Sequence, residues 1–154
     1  WSSDVCSSDL YTPGNLFDEK DGKMELMMNL NFYSAYHLTR SVLPSMIKAG
    51  RGHIFNICSI ASLDAYPGGA SYSVSKFALH GFSKNLRLEL KDKGIGVTAI
   101  HPGAVLTDSW GDFDNSKGRI MVPHDIASVV TACLSLSPQA LMEDIVIRPL
   151  QGDL

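Results

Sequence analysis

Several kinds of residue are too scarce or too scattered in this sequence to support particular classes of protein. The three cysteines, Cys6, Cys58 and Cys133, form no Cys-x-x-Cys pair, so we interpret them as reduced cysteines of a cytoplasmic protein. The five histidines show no metal-ligand spacing, and the sequence therefore predicts no metal site. No apolar run approaches the roughly 20 residues that a membrane-spanning helix requires.

Excess charge is also lacking. The net charge of −3 gives no electrostatic reason to expect binding to nucleic acid or to an anionic membrane. Residues Trp1–Leu10 repeat Ser-Ser-Asp without a core period, and they lack the basic start and apolar middle of a signal peptide. We therefore expect residues 1–10 to be a foreign or disordered leader and residues 11–154 to belong to one domain.

Helical and strand-like segments alternate along the rest of the chain. The predicted helices run from Met24 to about Lys48, from Ala70 to Lys91 and onward from Val122. The predicted strands are His53–Cys58, Gly96–Ile100 and Asp144–Arg148. This alternation predicts an α/β fold with a parallel sheet. Residues 104–121 are irregular, which is typical of a lid or of disorder.

The first predicted helix has apolar residues on more than one side. Such a helix is usually covered on two sides. One side is expected to pack on the sheet. The other side is expected to meet either a second subunit or another part of the same chain, and the sequence does not choose between these two.

Ser59, Tyr72 and Lys76 have a spacing that suggests catalysis. Tyr72 and Lys76 are four residues apart in a helix-forming segment, so both side chains leave the same face of the helix. Ser59 stands at the end of the strand-like segment His53–Cys58. A helix that packs beside this strand would bring the serine to the tyrosine.

A neighbouring lysine is a perturbation of about the right size to make a tyrosine a useful acid and base. The pKa of a free phenol is about 10, and lowering it by about three requires roughly 4 kcal/mol. An ammonium group about 4 Å away supplies roughly that much at an effective dielectric constant near 20. Ser59 would then stabilise the charge that develops on the same substrate oxygen.

Four segments in register resemble the short-chain dehydrogenase/reductase family, from about Asn29 to the end of the chain. They are Asn29-Leu30 with Leu43–Met46, then Gly52–Ser59, Tyr72–Leu79 and His101–Thr107. The departures from the family pattern are mild: Asn31 stands where glycine is frequent, and Cys58 precedes the serine. The resemblance implies the C-terminal half of a Rossmann-like, doubly wound parallel sheet.

The resemblance also implies a function and its residues. It makes the protein an oxidoreductase that moves a hydride between NAD or NADP and a small carbonyl or secondary alcohol, as a homodimer or homotetramer when complete. Tyr72 is then the general acid and base, Lys76 tunes it and holds the nicotinamide ribose, and Ser59 orients the substrate. Asn29 anchors a water in a proton relay. The turn that receives the nicotinamide carboxamide contains Pro102, Gly103, Val105 and Thr107.

The glycine-rich turn with which this family binds dinucleotide phosphates is missing from the sequence. Gly94-Ile-Gly96-Val-Thr-Ala99 fits a looser pattern but precedes a strand, so we interpret it as a helix stop and a turn. We therefore expect a second half of a dehydrogenase that is inactive by itself. Two alternatives are a noncatalytic half-domain and a relative of the sugar-nucleotide epimerases and dehydratases that use the same Tyr–Lys pair.

Overall fold

Four parallel strands form one sheet in chain order. The computed structural model describes residues 11–154 and, within the first ten residues, the backbone of Val5–Cys6. The strands are β1 (Val5–Cys6), β2 (Gly52–Ile57), β3 (Ile95–Pro102) and β4 (Asp144–Ile147). The predicted α/β fold with a parallel sheet is confirmed.

Helices cover both faces of the sheet. They are α1 (Lys23–Met28), α2 (Ser34–Ala49), α3 (Ala70–Leu90) and α4 (Pro123–Leu134). Alternate residues of β2 and β3 face opposite layers, as the pleat of a strand requires. Ile54 and Val97 pack with Leu86 of α3, whereas Phe55 and Ile100 pack against α4. Every residue of β3 except Gly96 is buried, as is typical of a strand covered on both faces.

A π-helical segment, Asn29–Tyr33, joins α1 to α2. The predicted helix from Met24 to Lys48 is therefore one continuous helix, which changes from α-helical to π-helical geometry at Asn29–Tyr33. It ends at Gly50, whose φ of 63° lies in the left-handed region that glycine adopts without a steric penalty.

Apolar side chains remain exposed on α2 and α3. Leu38 is 37 % exposed, Val74 48 % and Phe77 43 %. These three side chains are therefore not covered within residues 11–154, and we call them together the α2–α3 outer face. One side of the first predicted helix therefore packs inward, and the other side faces outward.

The irregular segment 104–121 contains a short 3₁₀ turn, Asp108–Trp110. Val105 forms a parallel bridge with Met121, so the two ends of the segment are tied together. Among the helices in residues 11–154, none is long and apolar enough to cross a bilayer.

The leader expected at residues 1–10 overlaps a strand. Within the expected foreign or disordered leader, Val5 and Cys6 pair with Phe55 and Asn56 of β2. An open strand edge readily accepts an extended segment, and this pairing covers two of the six residues of β2. The rest of the predicted leader lies outside the described residues.

Candidate active site

Ser59 lies just past the carboxyl end of β2 and is only 9 % exposed. It caps the 3₁₀ helix Ile60–Ser62, and its Oγ accepts a hydrogen bond from the Ala61 amide at 3.2 Å. In that bond the hydroxyl oxygen is the acceptor, so the hydroxyl proton is left for another oxygen. The Ser59 hydroxyl group is thus held at the end of β2 by this hydrogen bond and can donate its proton to another oxygen.

Tyr72 and Lys76 lie one turn apart near the beginning of α3, and both are buried. The Lys76 side chain is 1 % exposed, and its Nζ donates to the Ile57 carbonyl at 3.2 Å. The same Nζ lies 5.7 Å from the centroid of the Tyr72 ring. A buried ammonium group beside a phenol favours the ionised phenolate.

The Tyr72 ring packs with Met27 of α1 and with Ala61. The edge of the Tyr11 ring meets the Tyr72 ring at a centroid distance of 5.1 Å. Tyr72 therefore contacts the residue that Ser59 caps, and Lys76 bonds the strand end two residues before Ser59. Tyr72 and Lys76 thus both contact the segment of residues 57–61, which contains Ser59.

Asn29 and Asn31 are placed differently by the π-helical segment. Asn29 is exposed, whereas Asn31 is 2 % exposed. The Asn31 Nδ2 donates to the Ser75 Oγ at 3.0 Å, and Ser75 donates to the Tyr72 carbonyl at 2.7 Å. Asn31 therefore faces α3, the helix that carries Tyr72 and Lys76, whereas the predicted residue Asn29 is exposed.

A sequence signal for Asn31 was available. Met27, Asn31, Ala35 and Thr39 recur every four residues, and all four are buried. A helix buries residues that recur at about this interval, so an asparagine in phase with them is expected to point inward. Asn29 is out of phase with this row. A π-helical turn is also frequently found at functional sites.

The predicted carboxamide turn begins where β3 ends. Pro102 is the last residue of β3, and the Gly103 amide donates to the Ile147 carbonyl at 2.8 Å. A side chain at Gly103 would collide with Asp153 and Pro149. Val105 is partly buried beside Met121, and Thr107 is exposed and shares a hydrogen bond of 2.7 Å with Ser109. The turn thus lies beyond the carboxyl edge of the sheet, where ligands of open α/β sheets bind.

Cys58, next to the predicted catalytic serine, is not poised for chemistry. Burial raises the pKa of its thiol to about 12. The neutral thiol is a poor nucleophile, since thiolate is the reactive form. Cys58 packs with Ala35, Leu79 and Ala99 and acts as a small apolar residue of the core.

The family pattern described as short chain dehydrogenase matches residues 11–118. The chain belongs to this family. Members of this family are oxidoreductases. A sepiapterin reductase from Chlorobaculum tepidum is 32 % identical over 142 residues, covering 92 % of this chain and 58 % of the relative.

Solved structures of short-chain dehydrogenases superimpose closely on the chain. Serine dehydrogenase from Escherichia coli is 27 % identical with a TM-score of 0.86, covering 99 % of this chain and 65 % of that protein. The closed form of serine dehydrogenase complexed with NADP+ is also 27 % identical, with a TM-score of 0.81, over 91 % and 61 %. An alcohol dehydrogenase from Thermococcus sibiricus shares the fold at a TM-score of 0.88 and 21 % identity, over 99 % of this chain and 64 % of that one. The chain therefore spans somewhat more than half the length of these relatives.

Proposed function

We propose that the protein carrying this chain transfers a hydride between NAD or NADP and a small carbonyl compound or secondary alcohol. The observation that carries the proposal is the burial of Lys76 beside Tyr72, with its Nζ 5.7 Å from the Tyr72 ring centroid and 3.2 Å from the Ile57 carbonyl. When bound, the nicotinamide supplies or accepts the hydride. NADP+ in a serine dehydrogenase complex of the same family supports this choice of cofactor.

Tyr72 handles the proton in this proposal. During reduction its hydroxyl gives a proton to the substrate oxygen as the carbonyl carbon gains a hydride; during oxidation it takes the proton from the alcohol. Ser59 donates its remaining proton to the same oxygen, which stabilises the charge that develops there. Ala61 and Ser59 hold each other in place through their hydrogen bond, so this donor is oriented before the substrate arrives.

Lys76 has two tasks that one ammonium group can perform together. It has three N–H donors, and one of them is used on Ile57. In this proposal the same ammonium group binds the hydroxyl groups of a nicotinamide ribose, while its positive charge favours ionised Tyr72. Pro102, Gly103, Val105 and Thr107 are proposed to form the turn that receives the carboxamide. No glycine-rich turn occurs in these 154 residues, so the phosphates must be held by other parts of the protein.

Asn31 replaces Asn29 as the proposed anchor of the proton relay. Its amide reaches Ser75, one turn along α3 from Tyr72, and it is buried where a bound water would be sheltered. This assignment depends on side-chain placement and goes beyond the sequence resemblance.

We also propose a homodimer or homotetramer in the cytoplasm. The α2–α3 outer face is apolar, and exposed patches of this kind are typical of subunit interfaces. In sedimentation analysis of the complete protein, Phe77→Glu should shift the population toward the monomer. An exposed apolar residue outside this face, tested as Leu136→Glu, should leave the assembly intact, and an unchanged oligomer in Phe77→Glu would place the interface elsewhere.

The substitution Tyr72→Phe tests the proposed reaction in the complete protein. It removes the hydroxyl and leaves the ring that packs on Met27 and Ala61. We expect kcat to fall by at least about 100-fold, because a positioned acid or base contributes this much or more, with nearly unchanged cofactor affinity. Tyr36→Phe, on α2, is the matched control and should retain full activity. If Tyr72→Phe kept most of kcat, the assigned role would be wrong.

A further inference from the structure

Three side chains from different elements converge beside the Ser59 turn. They are His80 on α3, His101 on β3 and Asp144 at the start of β4. The Nε2 atoms of His80 and His101 lie 2.8 and 3.1 Å from the same Asp144 Oδ1. All three atoms lie within 4.8 Å of one another. His101 is fully buried and His80 is 8 % exposed.

The other nitrogen of each ring faces a backbone carbonyl. His80 Nδ1 lies 3.4 Å from the Ser62 oxygen, and His101 Nδ1 lies 3.3 Å from the Ser59 oxygen. A neutral imidazole carries only one N–H, so it cannot donate to Asp144 and to a carbonyl together. The Ser62 Oγ lies 2.7 Å from His101 Nδ1, but it also bonds the Ser59 carbonyl. While a ring is neutral, its two nitrogens therefore cannot both act as donors.

A cation between the Nε2 atoms and Oδ1 would use both nitrogens of each neutral ring. Each imidazole would then offer its Nε2 lone pair to the cation and donate its Nδ1–H to the nearby carbonyl. Histidines that bind metals almost always donate the other ring N–H in this way.

The distances suit zinc. Two imidazoles and one carboxylate are common zinc ligands, with bonds of about 2.0–2.2 Å. In a tetrahedron of that size the ligand atoms lie roughly 3.3 Å apart, so the two distances from the histidine nitrogens to Asp144 Oδ1 need to widen by only a few tenths of an ångström. The Asp144 side chain is 34 % exposed, which leaves a path for the ion and for a water as fourth ligand.

Arg87 holds the other side of the carboxylate. Its Nη1 lies 3.0 Å from Asp144 Oδ2, and its Nε donates to the Val97 carbonyl at 3.1 Å. This orients Oδ1 toward the two histidines, as an outer partner of a ligating carboxylate does. Because the Arg87 charge opposes a second cation, the two imidazoles must supply most of the binding.

We propose that His80, His101 and Asp144 form a zinc-binding site that ties α3, β3 and β4 to the Ser59–Ser62 turn. This replaces the expectation of no metal site, which considered only ligands close together in sequence. The proposal does not depend on hydride transfer, because the site stabilises the turn whether or not the turn is catalytic.

Zinc titration of the protein carrying this chain tests the proposal. The protein is freed of metal with a chelator and titrated with Zn²⁺ against a chromophoric competitor. Wild type should bind one Zn²⁺ ion. Asp144→Asn and His101→Gln should bind it at least about 100-fold more weakly, because removing even an outer-shell partner can cost up to this much affinity. His53→Gln is the control, since His53 bonds Thr98 outside the cluster.

A second readout guards against misfolding of the variants. Asp144→Asn replaces one carboxylate oxygen of a partly exposed side chain with an amide nitrogen. Because the change is this small, the far-ultraviolet circular dichroism spectrum of the variant should match that of wild type. Zinc should raise the thermal unfolding midpoint of wild type and of His53→Gln but not of Asp144→Asn, because a ligand that binds only the native state stabilises it. If zinc uptake were absent, or equal in wild type and Asp144→Asn, the cluster would be a hydrogen-bonded network and the proposal would fail.

Discussion

The Asn31 Nδ2 lies 3.0 Å from the Ser75 Oγ and links the π-helical segment to the helix that carries Tyr72 and Lys76. Both partners are buried, at 2 % and 0 % exposure. The Ser75 hydroxyl in turn donates a hydrogen bond to the Tyr72 carbonyl. A substitution at Asn31 is therefore expected to alter the position of Tyr72, the proposed acid and base.

Asn31→Ala and Asn29→Ala form a matched pair, both to be measured in the complete protein. We expect Asn31→Ala to lower kcat by more than about tenfold, since a proton-transfer arrangement contributes about 10²–10⁴-fold. It should also cost about 1–3 kcal/mol of unfolding free energy, as lost buried hydrogen bonds do. Asn29→Ala, on the exposed side, should change neither by much. Steady-state kinetics that reversed this order would restore Asn29 to the relay.

Ser59→Ala should reduce kcat by about 100-fold to 1,000-fold, the usual effect of removing one donor to a developing oxyanion. Because the Ser59 Oγ also accepts from the Ala61 amide, a stability loss of about 1 kcal/mol is expected as well. Ser59→Thr keeps the hydroxyl and should recover more activity than Ser59→Ala. Full activity in Ser59→Ala would remove this residue from the mechanism.

Glu19 makes stability depend on pH through the beginning of α3. Its carboxylate accepts hydrogen bonds from the Ser71 hydroxyl and from the Ser71 amide at 3.2 Å. The hydroxyl bond is the main reason that the pKa of Glu19 lies below its ordinary value of 4.5. A carboxyl whose pKa is lower in the folded state stabilises the fold above its unfolded pKa, and this contribution is lost as pH falls through the folded pKa.

Glu19→Gln should therefore be less stable than wild type at pH 7. The difference between the two unfolding midpoints should shrink as the pH falls below about 4.5. Urea unfolding at a series of pH values measures this difference. Glu25→Gln, on the exposed side of α1, is the control and should follow wild type at every pH. A Glu19→Gln difference that stayed constant with pH would contradict the assignment.

The 154-residue chain alone should bind NADH and NADPH negligibly, since no glycine-rich turn occurs in it. It should also aggregate or unfold with weak cooperativity. Gly52–Ile54 have no strand partner on the β1 side among the described residues, and an open apolar edge invites association. Fluorescence titration and thermal unfolding test both points. Tight, saturable binding, or a sharp and reversible monomeric transition, would overturn this view of the isolated chain.

Much of the fold could be predicted because its signals are local. The helices after Gly69 and Val122 begin within one residue of their predicted starts, since the apolar period and Pro123 mark them in the sequence. Strand β3 extends one residue earlier and two residues later than predicted, because pairing with β2 and β4 continues past the most apolar residues. The pairing of Val5–Cys6 depends on a distant strand edge and had no local signal.

The sequence by itself determined the α/β class, the family and the meeting of Ser59, Tyr72 and Lys76. A four-residue interval on a helix and a serine at a strand end place these groups by short-range geometry. The tertiary structure decided between Asn29 and Asn31 by showing which of the two side chains faces α3. It also joined His101 to Asp144, 43 residues apart, because parallel strands align residues that the chain keeps far from each other.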